Sequence, residues 1–324
     1  TFLNYLRCHD DIGWGLDYEY LKQFNMEEVA HKKYLNDCLT GKLPGSEARG
    51  ETYNDDPRLG DARLVGMTAS LTGIEAADYE QNEWKMARAI DFDVMLHAFL
   101  FTQSGIPVLY SGDEIGQLND YTYHQDPLKA DDSRYLHRGN FNWEHAGMRF
   151  DETTRQGKLY KRLRELIKAR SEYSVFESDA DTWVVETWND RVLGIGRYYN
   201  GEKLIALFNF SDKEETAWIH ETEDYVDLLT KEPVNGDAVT LAPQSFVWMY
   251  HSYEGERTRT AAAPKLVYPE KKAPKPKKQK EEKKAEKKAD EELTTVSVIV
   301  RKMPLKGAPA RQLARSMRHC KGRF

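Results

Sequence analysis

Apolar and polar positions change their rhythm near residue 180. Before that point, short apolar runs alternate with longer amphipathic stretches. Phe2 to Leu6 reads as a strand, and Met26 to Leu39 as a helix beginning near Asn25. A second helix is predicted from about Ala62 to Leu71, with Leu64, Met67 and Leu71 on one face. The longest, about Trp84 to Phe101, carries Met86, Ile90, Val94, Met95, Ala98 and Phe99 and is apolar on nearly every side, the pattern of a helix buried between other elements. Gly105 and Pro107 end it. Ile106 to Tyr110 then reads as a wholly buried strand of the kind found in parallel sheets covered on both faces. A polar loop rich in Asp, Tyr and His runs from Ser111 to about Asn142, and a further helix places Leu159, Leu163, Leu166 and Ile167 on one stripe. Strand, long loop and helix, repeated, is the rhythm of a (β/α) barrel, in which function sits in the loops after the strands. Two such units are visible.

From about 182 the period falls to two. Strands are expected at 182–188, 192–199, 203–210, 215–219, 225–229 and 244–250, with Asn200-Gly201 as a hairpin turn and Asn235-Gly236 as another. The fold class is therefore α/β: the C-terminal part of a (β/α)8 barrel over 1–175, then a small antiparallel β-sandwich over 176–252. A linker rich in Lys, Glu, Ala and Pro follows at 253–294, and a basic tail at 295–324 with one strand-like run, Val296 to Val300. No internal repeat is visible.

Charge sharpens this division. Residues 253–324 hold 21 Lys plus Arg against 9 Asp plus Glu, a net of +12, so a chain of net charge -6 has a body near -18. An acidic body has little reason to bind nucleic acid; an anionic partner, if any, belongs to the tail. Of the 324 residues 40% are hydrophobic and 31% charged, which suits a soluble globular protein. No apolar run approaches the roughly 18 residues of a membrane span, and no signal-peptide pattern opens the chain. Three scattered cysteines, Cys8, Cys38 and Cys320, fit a reducing cytoplasm and have no zinc-ligand spacing.

The candidate chemistry lies directly after the first strand, in Arg7-Cys8-His9-Asp10-Asp11-Ile12-Gly13-Trp14. Alone, such a triplet reads as a polar loop with a helix-capping Asp. Together with Ala48-Arg49-Gly50, Gly60-Asp61-Ala62-Arg63, Gly112-Asp113-Glu114-Ile115-Gly116-Gln117-Leu118-Asn119-Asp120 and Asp131-Asp132-Ser133-Arg134, it resembles glycoside hydrolase family 13 over about residues 1–250. Within that family the likeness is to amylosucrases and their sucrose-hydrolase relatives. The resemblance makes the two strands the seventh and eighth of the barrel. It implies that Asp10 is the carboxylate stabilising an oxocarbenium-like transition state and that His9 bonds hydroxyls of the reacting sugar. It likewise implies that Asp11 and Arg63 lie around the glucosyl and fructosyl positions. Arg134 would help close the pocket by an ion pair whose partner lies upstream of this chain.

Other residues read more plainly. Asp113 and Glu114 are expected to hydrogen-bond loop amides, Trp14 to pack a loop, and Cys8 and Cys38 to act as small core hydrophobes. Asn209-Phe210-Ser211 matches a glycosylation acceptor but falls in a predicted strand. His31-Lys32-Lys33-Tyr34 departs from the resemblance by offering Lys32 where an arginine is usual. The nucleophile and acid/base carboxyls, which the family carries on its fourth and fifth strands, are absent from this segment. The expected function is therefore that of a retaining α-glucosidase-type enzyme acting on sucrose or α-glucans, inactive as this chain alone, with no metal or cofactor required. A non-catalytic carbohydrate-binding or scaffold remnant with a partner-binding basic tail is the alternative.

Overall fold

The computed structural model describes residues 2–56, 58 and 62–253. The predicted linker, the basic tail with Val296 to Val300, Cys320, and Gly60 and Asp61 lie outside the described residues.

Strand β1 (Leu3–Asn4) opens the fold; α1 (Tyr18–Leu21) and α2 (Glu28–Leu39) follow. Next come β2 (Glu51–Tyr53), β3 (Arg63–Val65), α3 (Thr68–Leu71), α4 (Ile74–Tyr79) and α5 (Glu83–Thr102). Strand β4 (Ile106–Pro107) pairs in parallel with β1, with Leu3 opposite Ile106 and Asn4 opposite Pro107. The long loop after β4 contains three 3₁₀ turns, Asp113–Ile115, Tyr121–Gln125 and Ser133–His137. The last two are capped by the Asp120 and Asp132 carboxylates, which accept from the Thr122 and Arg134 amides. Helices α6 (Trp143–Gly147) and α7 (Arg155–Glu172) end this half.

Helix α5 has Asn82 as its cap, accepting from the Lys85 amide, and is buried on most of its circumference as its composition requires. Helix α7 buries the stripe Leu159, Leu163, Leu166 and Ala169 against it, while Ile167, predicted to share that stripe, is exposed.

Two expectations are corrected. The helix predicted over Ala62 to Leu71 is instead β3 and the one-turn α3. Leu64 is paired on both sides, with Thr52 of β2 and with Ile12, whose amide and carbonyl both bond it at 2.7 and 3.0 Å. Gly66, at φ +148°, breaks the segment before α3 can start. The run Ile106 to Tyr110 is not wholly buried: only Ile106 and Pro107 are in strand, Ile106 is 52% exposed and Val108 40%. Among the described residues β4 has β1 as its sole strand neighbour.

The second half contains β5 (Asp181–Val185), β6 (Val192–Tyr199), β7 (Glu202–Asn209), β8 (Glu215–Trp218), β9 (Tyr225–Asp227), β10 (Pro233–Val234), β11 (Ala238–Leu241) and β12 (Phe246–Ser252). Six form an antiparallel sheet in the order β10-β9-β12-β7-β6-β5, and β8 pairs with β11 in a second sheet. Strands β10 and β11 were not anticipated. Asn200 and Gly201 both have positive φ, 48° and 80°, as the tight turn between β6 and β7 demands.

Alternation along β7 shows what holds the halves together. Leu204, Ala206 and Phe208 point into a core shared with α5 and α7; Ile205 and Leu207 point the other way, toward Ala217, Val239 and Leu241. One strand thus serves two cores. Asn209 at its end is fully buried, with Nδ2 donating to the Lys213, Leu241 and Ala242 carbonyls, so no glycan can reach it.

Candidate active site

The segment after β1 is fixed from below by Arg7. Its side chain is buried, donating from Nε to the Gly66 carbonyl at 2.8 Å and from Nη2 to the Asp10 carbonyl at 3.0 Å. Nη2 also reaches His137 Nε2 at 3.2 Å, which makes that nitrogen an acceptor and the ring neutral. Burial pulls the Arg7 guanidinium below its ordinary value. Burial, and next Arg7, pull His137 down to about 4. The Tyr110 hydroxyl bonds the His137 carbonyl at 2.8 Å, tying the end of the long loop to the residues after β4.

Above this floor stands Asp10, its side chain 54% exposed. Oδ1 lies 3.3 Å from Arg138 Nη2 and 3.6 Å from Arg134 Nη1, and Oδ2 lies 3.3 Å from His9 Nε2. Asp11 points away and pairs with Arg63 at 3.0 Å, with the arginine left largely open to solvent. The structure therefore brings His9, Asp10 and Arg134 together and sets Asp11 and Arg63 beside them as a pair.

Within the described residues Arg134 forks onto Asp132, Nε and Nη2 bonding its two oxygens at 2.8 and 2.9 Å, and the partner expected for it upstream lies outside this chain. That fork raises the Arg134 pKa and lowers that of Asp132, which also caps the turn. The guanidinium lies 4.5 Å from the Tyr53 ring centre. Arg7, His137 and Arg138 were given no role by sequence reasoning. The available signal for Arg138 was its spacing of four from Arg134 on a short loop turn.

Asp113 also departs from expectation. It is buried, but Oδ2 faces His97 Nε2 at 3.9 Å rather than loop amides. Glu114 does bond an amide, that of Gly112, at 2.8 Å. His97, on α5, is fully buried with Nδ1 2.9 Å from the Asp93 carboxylate. Burial opposes its charge, yet Asp93 and Asp113 hold it up to about 10. Trp14 packs its loop by donating to Asn36 Oδ1 at 2.9 Å. Lys32 is buried beside Tyr18 and pairs with Glu28 at 2.8 Å. Cys8 and Cys38 are half-buried free thiols.

These two histidines give opposite pH limbs. His137 titrates near 6.5 unfolded and near 4 folded, so its neutral form stabilises the protein above pH 6.5 and that contribution is lost as pH falls toward 4. The loss amounts to about 3 kcal/mol. His97 has the reverse sign: its contribution is complete below pH 6.5 and disappears as pH rises through 10. In melting temperatures measured from pH 4 to 10, His137→Gln flattens the acid limb relative to wild type. An unchanged acid limb in that variant contradicts the placement of a neutral imidazole against Arg7.

A cavity of about 550 Å³ lies elsewhere, lined by Phe101, Ile106, Leu109, Ile167, Arg170 and Phe176. Arg170 donates there to the Phe101, Gln103 and Gly105 carbonyls, a structural use. The convergent charged groups His9, Asp10, Arg134 and Arg138 stand apart from that hollow. Among the described residues no three His, Cys, Asp or Glu side chains are grouped to hold a metal ion, and no helix is long and apolar enough to cross a membrane.

Comparison with known proteins bears on this geometry. The chain is 25% identical over 251 residues to glucosylglycerate phosphorylase of Escherichia coli (strain K12), covering 77% of this chain and 41% of that protein. It is 28% identical over 149 residues to cyclomaltodextrinase of Thermoanaerobacter pseudethanolicus, covering 45% of this chain and 22% of the other. This chain is similar to carbohydrate-active enzymes of the α-amylase type. It spans well under half the length of either relative. Residues 197–245 match a family described as the beta-galactosidase C-terminal domain. That match covers the antiparallel sheets only, contains none of the residues around Asp10, and says nothing about linkage specificity. Among solved structures, AmyP in complex with maltose aligns with a TM-score of 0.45 at 21% identity, over 57% of this chain and 38% of that one.

Proposed function

We propose that this chain is the C-terminal part of a retaining α-glucosyl-transferring enzyme whose donor is sucrose or a short α-glucan. The observation that carries the reading is Asp10: a half-exposed carboxylate in the loop after the parallel strand β1, with His9 on one oxygen and two arginines on the other. A fixed anion beside a sugar ring stabilises the positive charge that develops as the glycosidic bond breaks, and a neighbouring imidazole can orient hydroxyls. On this reading β1 and β4 are the seventh and eighth strands of a (β/α)8 barrel. The nucleophile and the acid/base, which in a retaining enzyme stand about 5 Å apart, come from strands outside this chain. The exposed flanks of β1 and β4, where Leu3 is 64% and Ile106 52% exposed, are then the surfaces those strands cover.

The acceptor is water, a glucan or phosphate. Phosphate is favoured by the similarity to a phosphorylase and by Arg63, Arg134 and Arg138 standing around the site. The test is to incubate the intact protein, expressed from its whole gene, with sucrose, maltodextrins and glucosylglycerate, with and without phosphate. Glucose release or glucosyl transfer supports the reading, and phosphate-dependent release of glucose-1-phosphate selects phosphorolysis. Residues 1–324 alone are expected to turn over none of these donors. Activity of that chain by itself overturns the assignment of the missing carboxyls to other strands.

A further inference from the structure

We propose that Arg138 is the positioning residue for the Asp10 carboxylate. The proposal rests on the reading of Asp10 as the charge-stabilising group and gives Arg138 a specific part in it, that of orienting the carboxylate. The guanidinium of Arg138 spans two consecutive residues of the loop after β1. Nε donates to the His9 carbonyl at 2.6 Å, and Nη2 lies 3.3 Å from Asp10 Oδ1. Because the five donors of a guanidinium lie in one rigid plane, holding the main chain of residue 9 with one arm fixes where the other arm puts the carboxylate of residue 10.

Arg134 cannot do this equally well. Two of its nitrogens are taken by Asp132 at 2.8 and 2.9 Å, and it approaches Asp10 only to 3.6 Å. Arg138 touches Asp132 more loosely, at 3.8 Å, and makes its shortest bond within the loop that carries Asp10. The residue before it is anchored on both sides, by the Tyr110 hydroxyl on the His137 carbonyl and by Arg7 on the His137 ring. Arg7 in turn holds the Asp10 carbonyl at 3.0 Å. Arg7 thus places the Asp10 main chain from below, and Arg138 places its side chain from the loop after β4. With both Asp10 and Arg138 partly open to solvent, Coulomb attraction between them is screened, so the contribution is chiefly geometric.

In the intact protein, Arg138→Met is expected to lower kcat about 10²-fold, the cost of a small misplacement of a catalytic group, while KM moves less than about threefold. Arg138→Lys, which keeps the charge but cannot span both atoms, is expected to recover only part of kcat. Added guanidinium is expected to restore activity to Arg138→Ala. A merely structural arginine would lower melting temperature without this split or this rescue. Crystal structures of wild type and Arg138→Met decide the geometry independently of substrate. Two or more Asp10 rotamers in the variant uphold the proposal, and an unmoved single rotamer overturns it, as does wild-type kcat. Should the wild-type protein act on no glucosyl donor, the functional reading fails, and the rotamer comparison still decides the positioning role.

Discussion

Asp10→Asn lowers kcat of the intact protein on an α-glucosyl donor about 10³-fold, with the fold unchanged. The substitution keeps the size and most hydrogen-bonding capacity of the side chain but removes its charge. The expected loss is therefore confined to the step in which positive charge develops on the sugar. Ground-state binding, which the amide can still support, changes little, so KM stays within a few-fold and kcat carries the effect. The surroundings make the fold tolerant of the change. Asp10 is half-exposed, and its main-chain carbonyl stays on Arg7 whatever the side chain is. Steady-state kinetics with far-UV circular dichroism and a melting curve check this, and near-wild-type turnover excludes the role given to Asp10.

The second large effect is on stability. Arg197→Met is expected to destabilise the protein by about 4 kcal/mol, because it strips partners from several buried acceptors at once. Arg197, on β6, is fully buried. Its donors go to the Val175, Thr102 and Glu177 carbonyls at 2.8, 2.8 and 2.7 Å and to the Ser104 hydroxyl at 3.1 Å. Those acceptors are the C-terminal end of α5 and the turn after α7, so one side chain caps helix ends of the first half from a strand of the second. Burial, with Arg170 adding to it, pulls the guanidinium down to about 10, still charged at neutral pH. The variant is expected to melt roughly 10 °C lower by calorimetry. Arg197→Lys, which keeps charge but cannot fork, is also expected to lose stability. A loss below about 1 kcal/mol in the methionine variant would mean that water replaces the arginine at those carbonyls.

How far the sequence could be read depended on which signals are periodic. Helices α5 and α7 and strands β6, β7 and β12 were legible because each is long and keeps one period, and because Asn200-Gly201 demands positive φ at both positions. Segment 62–71 was misread because Leu64, Met67 and Leu71 fit a helix. Leu64 is apolar because it is the middle of a small sheet, paired to Ile12 and Thr52 from distant parts of the chain. The run Ile106 to Tyr110 was expected to be buried as a strand of a parallel sheet covered on both faces, but burial needs neighbours, and among the described residues β4 has β1 as its one strand neighbour.

The site divides the same way. His9 and Asp10 were singled out by the resemblance that several motifs carry together, since their triplet alone reads as a polar loop. Their supports were not singled out. Arg7, Arg138 and His137 act through bonds spanning up to 130 positions, and nothing in local spacing records such a contact. For Arg134 the local contact is the visible one: Asp132 is two residues away and accepts from both its amide and its guanidinium. The buried Asp93, His97 and Asp113 group escaped for a related reason: two members share a helix turn, and the third arrives from the loop after β4.

The central claim is that α-glucosyl transfer with retention occurs at Asp10. The most direct test is proton NMR of the first product that the intact protein forms from an α-glucosyl donor, read before mutarotation. The account predicts an α-configured product, formed by wild type and lost in Asp10→Asn. A β-configured first product, or no turnover of any α-glucosyl donor, would contradict it.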